Sequence, residues 1–513
     1  MGMEQQSFLA TRWIYLLGLA LGLLQAVVFD FDGVSNNAIP TVLLSVVALG
    51  GFLWTLVRLS PARARRFGYV FGLGLFGWGL NWIYISMATF GGAPLWFAVC
   101  ANALVVLCLS LYWLLGAHLI ARLGTTVNQR LLLAPAVIVL LEWLRSVLFL
   151  GFPWLSLGYG VIDAKVAQYA AVFGVFGVSF ILLLLVVLPL LQVSGRQRLA
   201  LVGVVLAVGL LPRYLPTPQP AEGKSTTVAL VQGNMPVIVD YNSDILSQNL
   251  VQYHLLTEKA VADRPDVVIW PESAQPFFYV EAKDFLGDIY AMQQQYGFDL
   301  IAGMPHVDWQ GQQIYNSVLL QPQQPDVSKP PQFYSKAHLL PFGEYLPFRQ
   351  LFSFFRYFVI IQMADFTAGP AVQPPMRAGG LAFSVSICYE AVFGNEIRQN
   401  ARNADILLNV SNDAWFGRSK AQRQHLNIAR MRAVENQKML VRATNDGRTV
   451  VVSPQGRVLK ALPSFVEGVL TARVQGYAAI TPYARFGDSL ILALAGLWLL
   501  LIVGCRVWRS NGQ

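Results

Sequence analysis

Apolar runs as long as a lipid bilayer is thick fill this chain up to residue 215, and they leave little choice of fold. They lie at about 11 to 29, 39 to 58, 67 to 87, 94 to 121, 131 to 150, 165 to 192 and 199 to 214, with an eighth at about 488 to 505. A hydrocarbon core roughly 30 Å thick is crossed by about 20 helical residues, a length most of these runs reach; the seventh is short. Of 513 residues 55% are hydrophobic and 13% charged, where soluble domains carry about a quarter charged. A multi-pass α-helical membrane domain is therefore expected, with about eight transmembrane helices: seven in residues 1–214 and one in 488–513, followed by a short tail. The first run is long, weakly basic ahead of its core and followed by further spans, which reads as an uncleaved helix rather than a signal peptide. Gln6 stands where acylation of Gly2 would need Ser or Thr, so no myristoyl anchor is expected.

Arginine marks alternate connections between the runs. Arg63, Arg65 and Arg66 follow the second, Arg122 and Arg130 flank the gap after the fourth, Arg196 and Arg198 follow the sixth, and Arg506 and Arg509 end the eighth. Such connections stay in the cytoplasm, whereas those holding Asp30 and Asp32 or Gly91 and Gly92 are nearly free of basic residues and belong outside. Seven crossings from a cytoplasmic N-terminus place residues 215–487 across the membrane, in the periplasm if the cell has two membranes. The expectation is a multi-pass inner-membrane protein with both termini cytoplasmic. The net charge of +9 does not point to nucleic acid, because the basic residues flank apolar runs instead of gathering on one aromatic-interleaved patch.

Three features inside the spans have competing readings. Gly72-Leu73-Gly74-Leu75-Phe76-Gly77 matches a dinucleotide-binding fingerprint, but no strand precedes it, and its glycines are read as letting helices approach closely. Glu142 and Arg145 lie in the fifth run, where each charge costs about 3 kcal/mol at the bilayer centre. Three apart on one helix face, they either neutralise each other or form a polar wall beneath an active site. Gly151-Phe152-Pro153-Trp154 then stops that helix, as an interfacial anchor or as a lipid-contacting rim.

From Thr226 the pattern changes. Short β-rich runs at Thr226 to Val231, Val267 to Trp270, Leu300 to Gly303, Ser317 to Leu320, Leu381 to Ile387, Ile406 to Val410, Leu440 to Ala443 and Thr449 to Val452 read as strands. Amphipathic stretches at about 244 to 262, 281 to 296, 391 to 403 and 420 to 438 read as helices. Interleaved strands and helices over residues 215–487 argue for a layered α/β domain with its own core.

Three strand-associated side chains suggest chemistry. Val267-Val268-Ile269-Trp270-Pro271-Glu272-Ser273 delivers a carboxylate at a strand end, Tyr334-Ser335-Lys336-Ala337-His338-Leu339 a lysine, and Ser384-Val385-Ser386-Ile387-Cys388-Tyr389-Glu390 a thiol. Cys100, Cys108 and Cys505 fall inside apolar runs, so Cys388 has no evident disulfide partner. A thiol between a strand end and the next helix gains N–H groups and a dipole that favour its anion; the other reading is a buried core cysteine. The histidines, His118, His254, His306, His338 and His425, lack ligand spacing, so no metal site is expected.

Taken together, Trp270-Pro271-Glu272-Ser273, Lys336 through Tyr345, Ile387-Cys388-Tyr389-Glu390 and Asn412-Asp413-Ala414-Trp415-Phe416 resemble the carbon–nitrogen hydrolase, or nitrilase, superfamily over about residues 226 to 470. With the apolar runs, the whole chain resembles the membrane-bound branch, the apolipoprotein N-acyltransferases of Gram-negative bacteria. The resemblance implies a periplasmic nitrilase-like αββα sandwich and a Glu272, Lys336, Cys388 triad with no cofactor. Glu272 would take the thiol proton; Lys336 and the Tyr389 backbone N–H would hold the oxyanion, and Glu344 would position Lys336 or Glu272. Tyr389 and Glu390 are expected to matter, as substrate contacts or as scaffold. Tyr241 stands where the family often has tryptophan. The implied reaction moves the sn-1 acyl chain of a membrane phospholipid, through a Cys388 thioester, to the α-amino group of a diacylglyceryl apolipoprotein, with the enzyme acting as a monomer. Leu351 to Ile361, including Phe358 and Ile360, is either a core helix or a lid that dips into lipid. The competing functions are a membrane-tethered amidase of nitrilase type, with water as second nucleophile, and a non-catalytic transporter or scaffold.

Overall fold

The computed structural model describes all residues except 1, 32, 33, 35, 36, 215, 216, 237–242, 326, 327, 329, 354–357, 359–364, 512 and 513. Tyr241 and Ile360 lie outside the described residues. The chain divides into two compact units, one of Met1–Tyr84, Leu95–Pro216 and Phe486–Gln513 and the other of Ile85–Pro94 and Thr217–Arg485.

The first unit is helical. Its helices Arg12–Asp30, Ile39–Leu56, Leu95–Leu123 and Lys165–Leu190 are long and apolar enough to cross a membrane, and the bent pair Pro61–Gly79 and Trp82–Phe90, whose residues from Ile85 on fall in the second unit, makes a fifth if it counts as one span. Val127–Val147 carries Arg130, Glu142 and Arg145, while Gly195–Leu210 and Ser489–Gly504 are shorter. The glycines of Pro61–Gly79 do what close packing requires: a Cβ at Gly68 would lie 2.4 Å from the Trp113 carbonyl and one at Gly74 2.4 Å from that of Leu19.

Glu142 and Arg145 are buried and each lies in the other's field, as a neutralising pair does, and the hydrogen bonds they make run to the chain that follows their helix. Arg145 Nη1 donates to the Phe152 carbonyl at 2.8 Å and to that of Trp154, and Glu142 Oε1 accepts from the Leu157 N–H at 2.8 Å. A non-helical turn among apolar helices exposes backbone groups that water cannot reach, and these two side chains satisfy them. Trp154 is neither an interfacial anchor nor a rim residue: it is 1% exposed, with its ring 5.2 Å from that of Trp82.

The second unit is layered. Its strands are β1 (Ser225–Gln232), β2 (Val267–Ile269), β3 (Asp299–Asp308), β4 (Gln313–Gln321), β5 (Gln332–Ser335), β6 (Met376–Ala378), β7 (Leu381–Ile387), β8 (Ile406–Ser411), β9 (Leu440–Thr444), β10 (Val450–Val452), β11 (Val458–Ala461) and β12 (Gly468–Gln475). They form two six-stranded sheets, β12-β1-β2-β3-β4-β5 and β11-β10-β9-β8-β7-β6. The central pairs β1–β2, β2–β3, β7–β8 and β8–β9 are parallel.

Side chains alternate across a strand, and here the alternation sorts two cores. Val228 and Leu230 of β1 face the same cluster as Val385 and Ile387 of β7, between the sheets. Ala229 and Val231 face the opposite way, joining Leu256 of helix Ser243–Val261 and Ile289 of helix Lys283–Tyr296. Helices Gly394–Ala401 and Ala421–Asn436 complete the unit, the second almost wholly buried. Eight strands match the expected runs; β5, β6, β11 and β12 were not expected.

Candidate active site

Each candidate side chain leaves the carboxyl end of a strand, the position from which parallel sheets present functional groups. Glu272 follows β2, Lys336 follows β5, Cys388 follows β7, and Asn412 follows β8. The turn after β2 is fixed from below by Trp270, buried, whose indole N–H donates to Thr257 Oγ1 at 3.1 Å. Glycine 303 of β3 lets that turn come close: a Cβ there would stand 2.2 Å from the Pro271 carbonyl oxygen. Lys336 is set at both backbone ends, its N–H on the Asn316 carbonyl and its carbonyl on the Gly369 N–H, each at 2.8 Å.

These turns bring Glu272, Glu344 and Lys336 together in a buried cluster. Lys336 Nζ donates to Glu344 Oε1 at 2.9 Å and approaches Glu272 Oε1 at 3.5 Å. Asn316 Nδ2 bridges the carboxylates, donating to Glu272 Oε1 at 2.8 Å and Glu344 Oε1 at 2.7 Å. The remaining oxygens take backbone donors, Glu272 Oε2 from Asn412 at 2.8 Å and Glu344 Oε2 from Leu340 at 2.7 Å. Burial alone would lower the Lys336 ammonium; Glu344 and then Glu272 outweigh it and hold the charge above the ordinary lysine range.

Cys388 opens a single 3₁₀ turn, Cys388–Val392, with its own φ at 49°. A side chain at such an angle is strained by about 1 to 3 kcal/mol, a cost that surrounding contacts must offset. Burial, and next the Glu272 carboxylate, push the thiol well above its ordinary range, against the pull of Lys336. Burial and the neighbouring carboxylate thus favour the neutral thiol, so the nucleophile depends on a base to take its proton.

Glu390, in the same turn, accepts from the Ile387 N–H at 2.6 Å, the Ala337 N–H at 2.7 Å and the Tyr334 hydroxyl at 2.9 Å. It therefore ties the lysine segment to the cysteine turn. Tyr389 is buried beside Phe393, with ring centroids 5.2 Å apart. Phe358 is half-buried and outside the helix Arg349–Phe352.

Sequence reasoning missed Asn316, which lies mid-strand in β4 and carries no motif of its own. It also missed a second buried network beneath the cysteine turn, of Ser411, Asp413, His425 and Arg442. His425 carries no sequence signal of this role: its partners Asp413, Arg442 and Cys388 lie 12, 17 and 37 residues away, and only the fold brings them together.

Residues 227–483 match the family model described as "Carbon-nitrogen hydrolase" and residues 12–188 the one described as "Apolipoprotein N-acyltransferase N-terminal domain". The apolipoprotein N-acyltransferase of Methylococcus capsulatus is 38% identical over 84% of this chain and 86% of its own. That of Nitrosomonas europaea is 37% identical over 90% and 92%. Among solved structures, the C. elegans NitFhit protein is 18% identical, covering 49% of this chain and 61% of that one with a TM-score of 0.38. The shared identity runs through both the helical unit and the layered unit, and the chain belongs to the apolipoprotein N-acyltransferase family.

Proposed function

We propose that this membrane enzyme transfers the sn-1 acyl chain of a glycerophospholipid to the α-amino group of a diacylglyceryl-cysteine at an apolipoprotein's N-terminus, with Cys388 carrying the chain between them. The observation that carries the reading is the buried cluster of Glu272, Asn316, Glu344 and Lys336 beside the Cys388 turn, in a chain whose other unit is built of membrane-length helices.

In the first half-reaction the Cys388 proton passes to Glu272 as Sγ bonds to the ester carbonyl carbon. Lys336 and the Tyr389 N–H hold the oxyanion. When the carbon–oxygen bond breaks, Glu272 returns the proton to the departing alkoxide, and a lysophospholipid leaves. In the second, the neutral α-amine attacks the thioester, Glu272 takes one amine proton, and the carbon–sulfur bond breaks. The proton then goes to the thiolate, restoring the thiol and leaving an amide. The steps balance with this chain's own groups. Glu344 and Glu390 act by position, Glu344 holding Lys336 directly and Glu272 through Asn316. The reading also includes a monomeric enzyme and, on the arginine pattern described above, eight membrane crossings, cytoplasmic termini and a periplasmic catalytic domain.

Incubating the detergent-solubilised enzyme with a phospholipid labelled in its sn-1 chain, without acceptor, tests it. The expected result is one hydroxylamine-labile acyl adduct by intact mass, absent in Cys388→Ala. Free fatty acid accumulating with no adduct would favour an amidase-like hydrolase, and neither adduct nor turnover would remove the enzyme reading.

A further inference from the structure

We propose that His425 is a positioning residue for the oxyanion: from beneath the cysteine turn it holds the peptide group whose other end is the Tyr389 N–H. The inference rests on the acyl-transfer reading above and adds to it a residue that none of those steps uses.

His425 Nε2 lies 3.0 Å from the Cys388 carbonyl oxygen. That oxygen and the Tyr389 N–H belong to one planar trans peptide unit, in which C=O and N–H point in opposite directions. Pinning the oxygen on one side therefore aims the N–H to the other. The group needs pinning, because Cys388 sits at a φ of 49°, which a non-glycine residue leaves readily unless held.

Nε2 faces a carbonyl, an acceptor, so it carries a proton. Nδ1 lies 3.0 Å from Arg442 Nη2 and 3.1 Å from Asp413 Oδ1, and whichever of the two it pairs with, the Nε2 proton is set by the carbonyl. Burial, with Arg442 next, holds the imidazole below its ordinary range. Arg442 is anchored in turn by Asp413, at 2.9 Å to Oδ2 and 3.0 Å to Oδ1, and by the side-chain amide oxygen of Asn409. Asp413 Oδ1 also lies 3.1 Å from His425 Nδ1 and accepts from Ser411 Oγ at 2.7 Å. His425, Asp413 and Arg442 are each 0% exposed. A buried cation, anion and ring in this order hold one N–H in one direction, and that N–H points at the nucleophile's own backbone.

Three variants separate aiming from plain packing. His425→Gln keeps an N–H at about the reach of Nε2, His425→Asn keeps polarity but falls short, and His425→Phe keeps a ring without a donor. For each, single-turnover acylation of Cys388 is followed with labelled phospholipid and with a short p-nitrophenyl ester, alongside alkylation of Cys388 by iodoacetamide, which forms no oxyanion. Losing one oxyanion donor typically slows acylation about a hundredfold or more. The expected result is a loss of that order in the Asn and Phe variants with both esters, alkylation within about twofold of wild type, and recovery in the Gln variant. Acylation unchanged in the Asn variant, or acylation and alkylation falling together, would overturn the proposal. If Phe does not fold, the Asn and Gln pair decides. Wild-type enzyme that is acylated by the p-nitrophenyl ester but not by phospholipid would defeat the acyl-donor reading and leave the His425 comparison intact; acylation by neither would defeat both.

Discussion

Glu272, Glu344 and Lys336 share one buried pocket of charge, and with both carboxylates ionised the three carry one net negative charge. Placing a thiolate beside that set is costly, which pushes the Cys388 thiol toward its protonated form. Moving its proton to Glu272 leaves the total unchanged and only shifts the negative charge from carboxylate to sulfur, so the transfer avoids the penalty of adding a charge to a dry site. Asn316 matters because it keeps the two carboxylates apart from each other's lone pairs by donating to both. Asn316→Leu leaves two buried charged acceptors each short of a donor, a loss of about 1.5 to 3 kcal/mol per bond to a charged group. Single-turnover acylation is expected to fall about 10- to 100-fold, and a rate within twofold of wild type would count against the bridge. Glu272 and Cys388 were legible because each ends a short apolar run with a polar residue, and Lys336 because it opens the motif that runs on to Tyr345. Asn316 was not: its partners lie 44 and 28 residues away, and only the sheet brings them together.

At the scale of elements, the eight strands foreseen include the buried interiors of both sheets, and the four missed are the sheet edges, β5, β6, β11 and β12. The reason is physical. Interior strands such as β7 and β8 are buried at every position and read as apolar runs, whereas β12 alternates buried and open positions and carries Arg473. The glutamate turn depends on how closely β3 can approach it. Gly303→Ala is expected to lower the melting temperature and cut acylation at least about tenfold, since a 2.2 Å contact with the Pro271 carbonyl forces backbone to move. Gly287→Ala, on the exposed face of helix Lys283–Tyr296 with nothing near its Cβ, is the control and should stabilise by up to about 1 kcal/mol. Equal effects at the two glycines would refute the close-approach argument.

For the whole molecule, hydropathy located the helical unit: among the described residues four helices qualify as spans by length and composition, or five with the bent pair, and the further crossings belong to the proposal. Pro61–Gly79 stops at a bend of 41° before Trp82–Phe90, and a linear hydropathy window has no means of registering a bend. Nor did it register that Glu142 and Arg145 serve the backbone of the turn after their own helix. Sidedness is the remaining proposal, and single cysteines in an otherwise cysteine-free chain test it. Asp263→Cys is expected to react with a membrane-impermeant maleimide in cells whose outer membrane is permeabilised, and Arg65→Cys only after lysis. The opposite pattern would invert the arginine-based orientation.

The pairing of β1 with β12 sets a timetable. Ser225 stands opposite Gln475 and Gln232 opposite Gly468, so the first strand of the layered unit waits for the last. At ordinary synthesis rates the ribosome needs on the order of tens of seconds to make the chain between them. Until then one flank of β1, buried along nearly its whole length in the finished sheet, has no partner for its N–H and C=O groups. The same register makes this pair a zipper with both tabs at one end: tension applied at the unit's two chain ends opens it one rung at a time from Ser225 and Gln475, before any parallel pair in the sheet is loaded.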